Sequence, residues 1–172
     1  MKGADAGELL TGPRPVLEAL RAGRRRVRRI LIARQAPAPP VDALLALARA
    51  RGVPVEAVPR DLLDRRAGTG HHGVAAEVAP FAYSAPEALL EPAGPGPEVF
   101  LVVLDGIQDP QNLGAILRTA EAAGVSGVAL PRDRAVPVTA AAVRASAGAA
   151  EHLPVARVPN LAGFLSRLRE RG

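Results

Sequence analysis

The chain has 172 residues, 48% of them apolar but only 2% aromatic, so it can bury a core built from Ala, Val and Leu. A net charge of +5 and a pI near 11.1 suit a polyanionic partner such as nucleic acid. Without cysteine there is neither a disulfide nor a thiolate metal site, and no run reaches the roughly 18 apolar residues of a membrane span, so a soluble cytoplasmic protein is expected. The start, MKGADAGELL, has no apolar h-region. Lys2 is the lone lysine among 22 basic residues, and this arginine bias accompanies abundant Ala and Pro. The arginine count alone is therefore a weak argument.

Residues 12–23, GPRPVLEALRAG, read as a short helix with prolines at its start, Val16, Leu17 and Leu20 on one face, and Gly23 as its stop. Arg24, Arg25, Arg26, Arg28 and Arg29 follow, then a buried strand at Ile30–Ile32. The arginines suit phosphate contacts, and equally a solvated strand entry. After the Pro-rich connector Ala36–Pro40, Val41, Leu44, Leu45 and Ala48 define an amphipathic helix closed by Gly52. Residues 53–58 read as a strand in which Pro54 argues against a central position. A short helix at 60–66 and a strand at 74–78 complete a small α/β sandwich over 8–80. Between them, Gly68 to Gly73 satisfies G-x-G-x-x-G. It lies between a helix and a strand, the reverse of the dinucleotide-binding context, and is rejected. His71 and His72 lack further ligand-type neighbours, so they are read as ordering that loop, with no metal.

Residues 81–97, rich in Pro and Gly, are expected to be a linker. The second unit, 98–172, opens with the apolar run Val99–Leu104, expected to be a strand buried on both faces. Asp105-Gly106 and Asp109-Pro110 form a polar loop. Leu113, Ile116, Leu117 and Ala120 then mark a helix that Gly124 stops, and 128–130 form the next strand. This β-loop-α-β unit leaves its polar loop at the carboxyl end of the first strand, where open α/β sheets bind ligands. An Ala-rich helix is expected over 138–150 with a break near Gly148, its small residues permitting close packing. A strand at 155–158 and a helix at 161–171, capped by Asn160 and followed by Gly172, complete the reading.

Three residues at the loop carry the chemistry. Asn112 stands where the helix is expected to start, as its N-cap. Gly114, in the first turn, costs roughly 1 kcal/mol against alanine, and Arg118 lies one turn later on the same face. A missing side chain beside a guanidinium lets a sugar-phosphate backbone approach. The structural alternatives are a plain cap for Asn112, close packing for Gly114, and pairing of Arg118 with Glu121 or Asp105.

LDGIQDPQ followed by Asn112-x-Gly114-x-x-x-Arg118-Thr119 resembles the first motif of the SPOUT-class, SpoU-type RNA ribose 2′-O-methyltransferases. GPRPVLEAL and HHGVAAEV resemble the RNA substrate-binding domain that precedes their catalytic domain, and SAGA with EHLPV resembles a further family segment. The resemblance implies an α/β RNA-binding domain followed by the parallel-sheet front of a knotted methyltransferase domain. It implies Arg118 and Asn112 as catalytic residues. Gly114, Arg24, Arg25 and Arg26 are expected at RNA. It implies S-adenosylmethionine as methyl donor, structured ribosomal RNA as substrate, and a homodimer for the intact protein. Two later motifs that complete the family's cofactor pocket are not found, so no cofactor-binding residue is expected here. A fragment of such an enzyme, or a non-catalytic RNA-binding relative, fits the sequence.

Overall fold

The computed structural model describes residues 7–34, 41–90 and 99–170. The connector 36–40, residues 91–97 of the expected linker, and Gly172 lie outside that range. In the first lobe, strands β1 (Glu8–Thr11), β2 (Val27–Ala33), β3 (Val55–Val58) and β4 (Val74–Val78) form one sheet in the order β1-β4-β2-β3. Strand β1 is not among the sequence expectations. Glu-Leu-Leu-Thr is too short to show a period, and it is held by antiparallel pairing of Glu8 with Val78 through Thr11 with Ala75. Pro54 acts as anticipated: β3 is an edge strand that pairs in parallel with β2 from Val55 onward.

Alternation along the strands divides this lobe into two apolar layers. Ile30, Val74, Ala76 and Val78 face helices α1 (Pro13–Ala22) and α2 (Val41–Ala50), which contribute Val16, Leu17, Leu20, Leu44 and Ala48. Leu31, Ala33, Val58 and Ala75 face the other way, onto Leu63 of α3 (Arg60–Ala67). Helix α1 ends on Gly23 at φ +61°, in the left-handed conformation that glycine adopts without steric cost.

The second lobe is a parallel sheet, β5 (Leu101–Val103), β6 (Gly127–Pro131) and β7 (Val155–Val158), in that order. Its helices are α4 (Pro110–Ala122), α5 (Ala140–Ala145) and α6 (Leu161–Glu170). The strand buried on both faces is β6, not β5 as expected. Among the described residues strand β5 has a neighbour on one side only, its residues are half-buried, and Phe100 before it is 53% exposed. The expected helix over 138–150 stops at Ala145. Ala147 and Gly148, at φ +54° and +94°, turn the chain before a 3₁₀ turn at Ala149–Glu151. Asn160 caps α6 by accepting from the Gly163 N–H at 3.1 Å.

The lobes share one core. Leu10, Val16 and Leu20 belong to the same buried cluster as Leu113, Leu117, Val143 and Ala150. The segment expected to be a linker is part of that union as far as Leu90. Phe81 is buried edge-on against Tyr83, whose hydroxyl accepts from the Val138 N–H at 2.7 Å. Ser84 pairs with Ala156 of β7, and Leu89 and Leu90 pack beside Phe164 of α6. Pro and Gly content concealed four large apolar side chains that have a core to enter.

Candidate functional site

Helix α4 begins two residues before its expected cap. Asp109, in extended conformation, is the N-cap, and its carboxylate accepts from the N–H groups of Gln111 (3.1 Å) and Asn112 (3.4 Å). Pro110 takes the first helical position, where a missing N–H costs nothing. The expectation that Asn112 caps the helix is therefore corrected: Asp109 does so, and the Asn112 side chain is left exposed on the first turn.

Gly114 is also corrected. It is buried, and a Cβ there would stand 2.5 Å from Ala145 Cβ and 2.6 Å from the Ala142 carbonyl oxygen. The missing side chain makes room for α5 and not for RNA. Gly114→Ala is accordingly expected to destabilise the protein by about 1–3 kcal/mol, despite a helix-propensity gain near 1 kcal/mol. Thermal melting checks this, and a rise in Tm would overturn the packing account.

Arg118 is exposed, and its side chain makes no hydrogen bond or ion pair among the described residues. The pairs with Glu121 or Asp105 do not form. The helix therefore carries a solvent-facing guanidinium one turn beyond a buried glycine, in its second half.

The arginines after α1 divide. Arg25 is not available to RNA, since its side chain is 1% exposed. It grips Glu151 of the second lobe in a fork, Nε to Oε2 at 3.2 Å and Nη2 to Oε1 at 2.5 Å. Its Nη1 donates to Glu8 (2.9 Å) and to the Ala79 carbonyl (3.2 Å), and the guanidinium lies 5.8 Å from the Phe81 ring centre. Arg24, exposed, also spans the lobes, donating to the Ser84 hydroxyl at 3.0 Å and the His152 carbonyl at 3.3 Å. Arg29 is neutralised by Glu77 and Glu56. Hydrogen bonds from Arg29 and Arg66 hold the Glu77 carboxyl at about 2. Arg26 is exposed with no side-chain partner among the described residues. Together with Arg24, Arg28 and Arg51 it lines a cavity of about 520 Å³ where α1 and α2 end. Part of that charge answers two helix carboxyl ends, as where Arg51 donates to the Arg21 carbonyl at 3.3 Å.

His71 orders its loop. It is buried, its Nδ1 accepts from the Gly73 N–H at 2.9 Å, and its Nε2 lies 2.7 Å from Asp64 Oδ1. Accepting at Nδ1 fixes the neutral tautomer with the proton on Nε2, which donates to Asp64. Among the described residues no group of His, Asp and Glu is placed to hold a metal, and no helix is long and apolar enough to cross a membrane.

The sequence reading passed over Arg14 and Arg144. They stand in different lobes, 130 positions apart in the chain numbering, and line one cavity of about 430 Å³ together with His72. Arg14 lies within GPRPVLEAL but neither residue belongs to a charge run, so only the packing of α5 against β1 brings them together.

Two family models match the chain. Residues 9–84 match the RNA 2′-O ribose methyltransferase substrate-binding family, and residues 99–172 the SpoU rRNA methylase family. A putative TrmH family tRNA/rRNA methyltransferase of Bacillus subtilis is 37% identical over 166 residues, 96% of this chain and 66% of the relative. An uncharacterised tRNA/rRNA methyltransferase of Mycobacterium avium is 41% identical over 172 residues, 99% of this chain and 56% of the relative. Among solved structures, the SpoU methyltransferase AviRb of Streptomyces viridochromogenes superposes with a TM-score of 0.72 at 28% identity, covering 96% of this chain and 58% of its own. An AdoMet-bound rRNA methyltransferase of Sinorhizobium meliloti gives 0.70 at 28% identity, covering 95% and 58%. The chain thus spans less than two thirds of the length of these relatives. With both models matched in order and a third or more of its residues identical to relatives across nearly its whole length, the chain belongs to the SpoU methylase family.

Proposed function

We propose that the protein acts as an S-adenosylmethionine-dependent RNA ribose 2′-O-methyltransferase on ribosomal RNA, as a cytoplasmic homodimer. The observation that carries this is Arg118: a guanidinium without an intramolecular partner, presented on α4 behind the loop that ends β5. An unpaired cation exposed on this helix suits a phosphate or a developing alkoxide. The substrate-binding match ahead of it, and the rRNA methyltransferase named among the structural neighbours, support RNA as the substrate.

Ribose methylation displaces a methyl from sulfonium to a ribose oxygen while the hydroxyl loses its proton. The acceptor must be aligned and its negative charge stabilised. A guanidinium stays protonated above about pH 12 and is a poor base, so Arg118 is assigned to clamp the adjoining phosphate and stabilise the alkoxide. Asn112, exposed on the first turn of α4, is assigned to orient the loop or the ribose. Gly114 serves by seating α4 on α5. When bound, S-adenosylmethionine supplies the methyl group. Neither Arg118 nor Asn112 lines the cavity of about 520 Å³ or the one of about 430 Å³, and no residue is assigned to hold the cofactor.

The test compares ribosomal and transfer RNA from cells with and without the gene, mapping ribose methylation nucleotide by nucleotide. One ribosomal 2′-O-methyl group is expected to disappear and to return with the wild-type gene. Loss confined to tRNA would move the substrate. No loss in either RNA would leave a non-catalytic RNA-binding protein.

A further inference from the structure

The seam between the lobes holds a basic cleft that the catalytic reading does not use. Its floor is the turn from β1 into α1, with Thr11 and Arg14. One wall is the loop at Gly70 and His72, and the other is the end of α5 with Arg144 and Ala147. No acidic residue lines it. Arg14 is exposed with no side-chain partner among the described residues, and Arg144 is anchored by donating to the Thr11 hydroxyl at 3.2 Å.

The backbone around this cleft is unusual. His72 and Ala147, at φ +46° and +54°, are two of three non-glycine residues in the left-handed region among those described, and both line the cleft. Such conformations carry a cost and collect where surrounding structure enforces a function. His71, fixed between Asp64 and Gly73, enforces the one at His72. Helix α5 connects the cleft to the candidate catalytic helix, because its Ala142, Ala145 and the following Ser146 are the groups packed against Gly114 of α4.

We infer that this interlobe cleft binds a phosphodiester of the substrate RNA, with Arg14 holding it from the first lobe and Arg144 from the second. The inference rests on the RNA-modifying reading above and gives that RNA its place on the protein. Two guanidiniums offer forked donors that match phosphate oxygens, and a volume of about 430 Å³ accommodates a group of nucleotide size. RNA seated there bridges the lobes and lies against the helix that supports α4, so the strand is delivered toward Arg118.

The test measures binding of a fluorescein-labelled, structured ribosomal RNA transcript by anisotropy over a range of salt. The joint variant Arg14→Gln with Arg144→Gln is expected to bind about tenfold more weakly and to lose about one unit of salt slope, for the one phosphate that the pair neutralises. Arg49→Gln, an exposed arginine on α2, is expected to change affinity less than about twofold. Thr11→Val removes the anchor of Arg144 but no charge, so it separates lost folding from lost phosphate contact. Should Arg144→Gln fail to fold, Arg14→Glu decides alone, since that exposed side chain holds nothing else in place; it is expected to weaken binding at least as much as Arg14→Gln. A folded double variant with unchanged affinity and slope would overturn the cleft while leaving RNA binding intact. A wild-type protein that does not bind the transcript even at low salt would instead overturn the RNA reading itself.

Discussion

Arg118→Ala is expected to lower kcat for ribose methylation by about 10²–10³-fold in the full-length gene product and to leave its Tm unchanged. The second half follows from exposure. The side chain contacts no partner among the described residues, so its loss removes no folded-state interaction. The first half follows from the chemistry, since a group that meets charge developing on the ribose oxygen acts mainly in the transition state and is read in kcat. Arg118→Lys divides the two roles left to a cation. Lysine keeps the charge but loses the planar fork. Rescue to near wild-type rate would mean a point charge suffices, and persistent loss would mean a bidentate clamp on phosphate and ribose. Near-normal turnover by folded Arg118→Ala would remove Arg118 from the reaction and leave it as a solvated helix residue.

What could be read ahead of the structure followed from local rules. The stop at Gly23, the strands at 74–78 and 155–158 and the amphipathic faces of α1, α2 and α4 depend on nearest neighbours and appear nearly as spaced. Three readings failed where distant residues decide, and one, the cap of α4, on a local pair. Asn112 and Asp109 are both good caps, and the choice fell to the Asp-Pro pair that starts α4. Gly114 looked like clearance for a ligand because α5, about 30 residues later, was not yet placed against it. Strand β5 has the composition of a buried strand but a neighbour on one side only. The linker reading weighed Pro and Gly against Phe81, Tyr83, Leu89 and Leu90, and the aromatic and leucine side chains prevailed as far as Leu90. Arg118 was legible as a cation on the helix surface, and the structure leaves it exposed there without the Glu121 or Asp105 pair.

Arg25 shows the same limit and carries the largest expected effect on stability. In sequence it is one of five arginines around a strand entry; in the fold it is a buried cation facing a buried carboxylate across the seam. Removing one member leaves the other charged and dry, so Arg25→Ala and Glu151→Ala are each expected to cost about 3–5 kcal/mol, a fall in Tm on the order of 10 °C for a chain of this size. Replacing both by Met and Leu is expected to recover most of the loss, because two buried charges are exchanged for packing. Acidity separates the two single variants. Burial pushes the Glu151 carboxyl above its ordinary value, and the Arg25 charge opposes that rise. A carboxyl raised in the folded state binds its proton more tightly there, so stability from this group is present below its unfolded value and is lost as pH rises through the folded one. In Arg25→Ala the opposing charge is gone, and the penalty should shrink on acidification as the orphaned carboxyl is neutralised. In Glu151→Ala the orphan is a guanidinium that stays charged, with Glu8 as its remaining carboxylate at 2.9 Å. A guanidinium has no proton to gain in this range, so this penalty should not shrink. Melting curves between pH 7 and pH 4 read both slopes. Equal, pH-independent losses below about 1 kcal/mol would mean that the pair is solvated and the lobes are held by apolar packing alone.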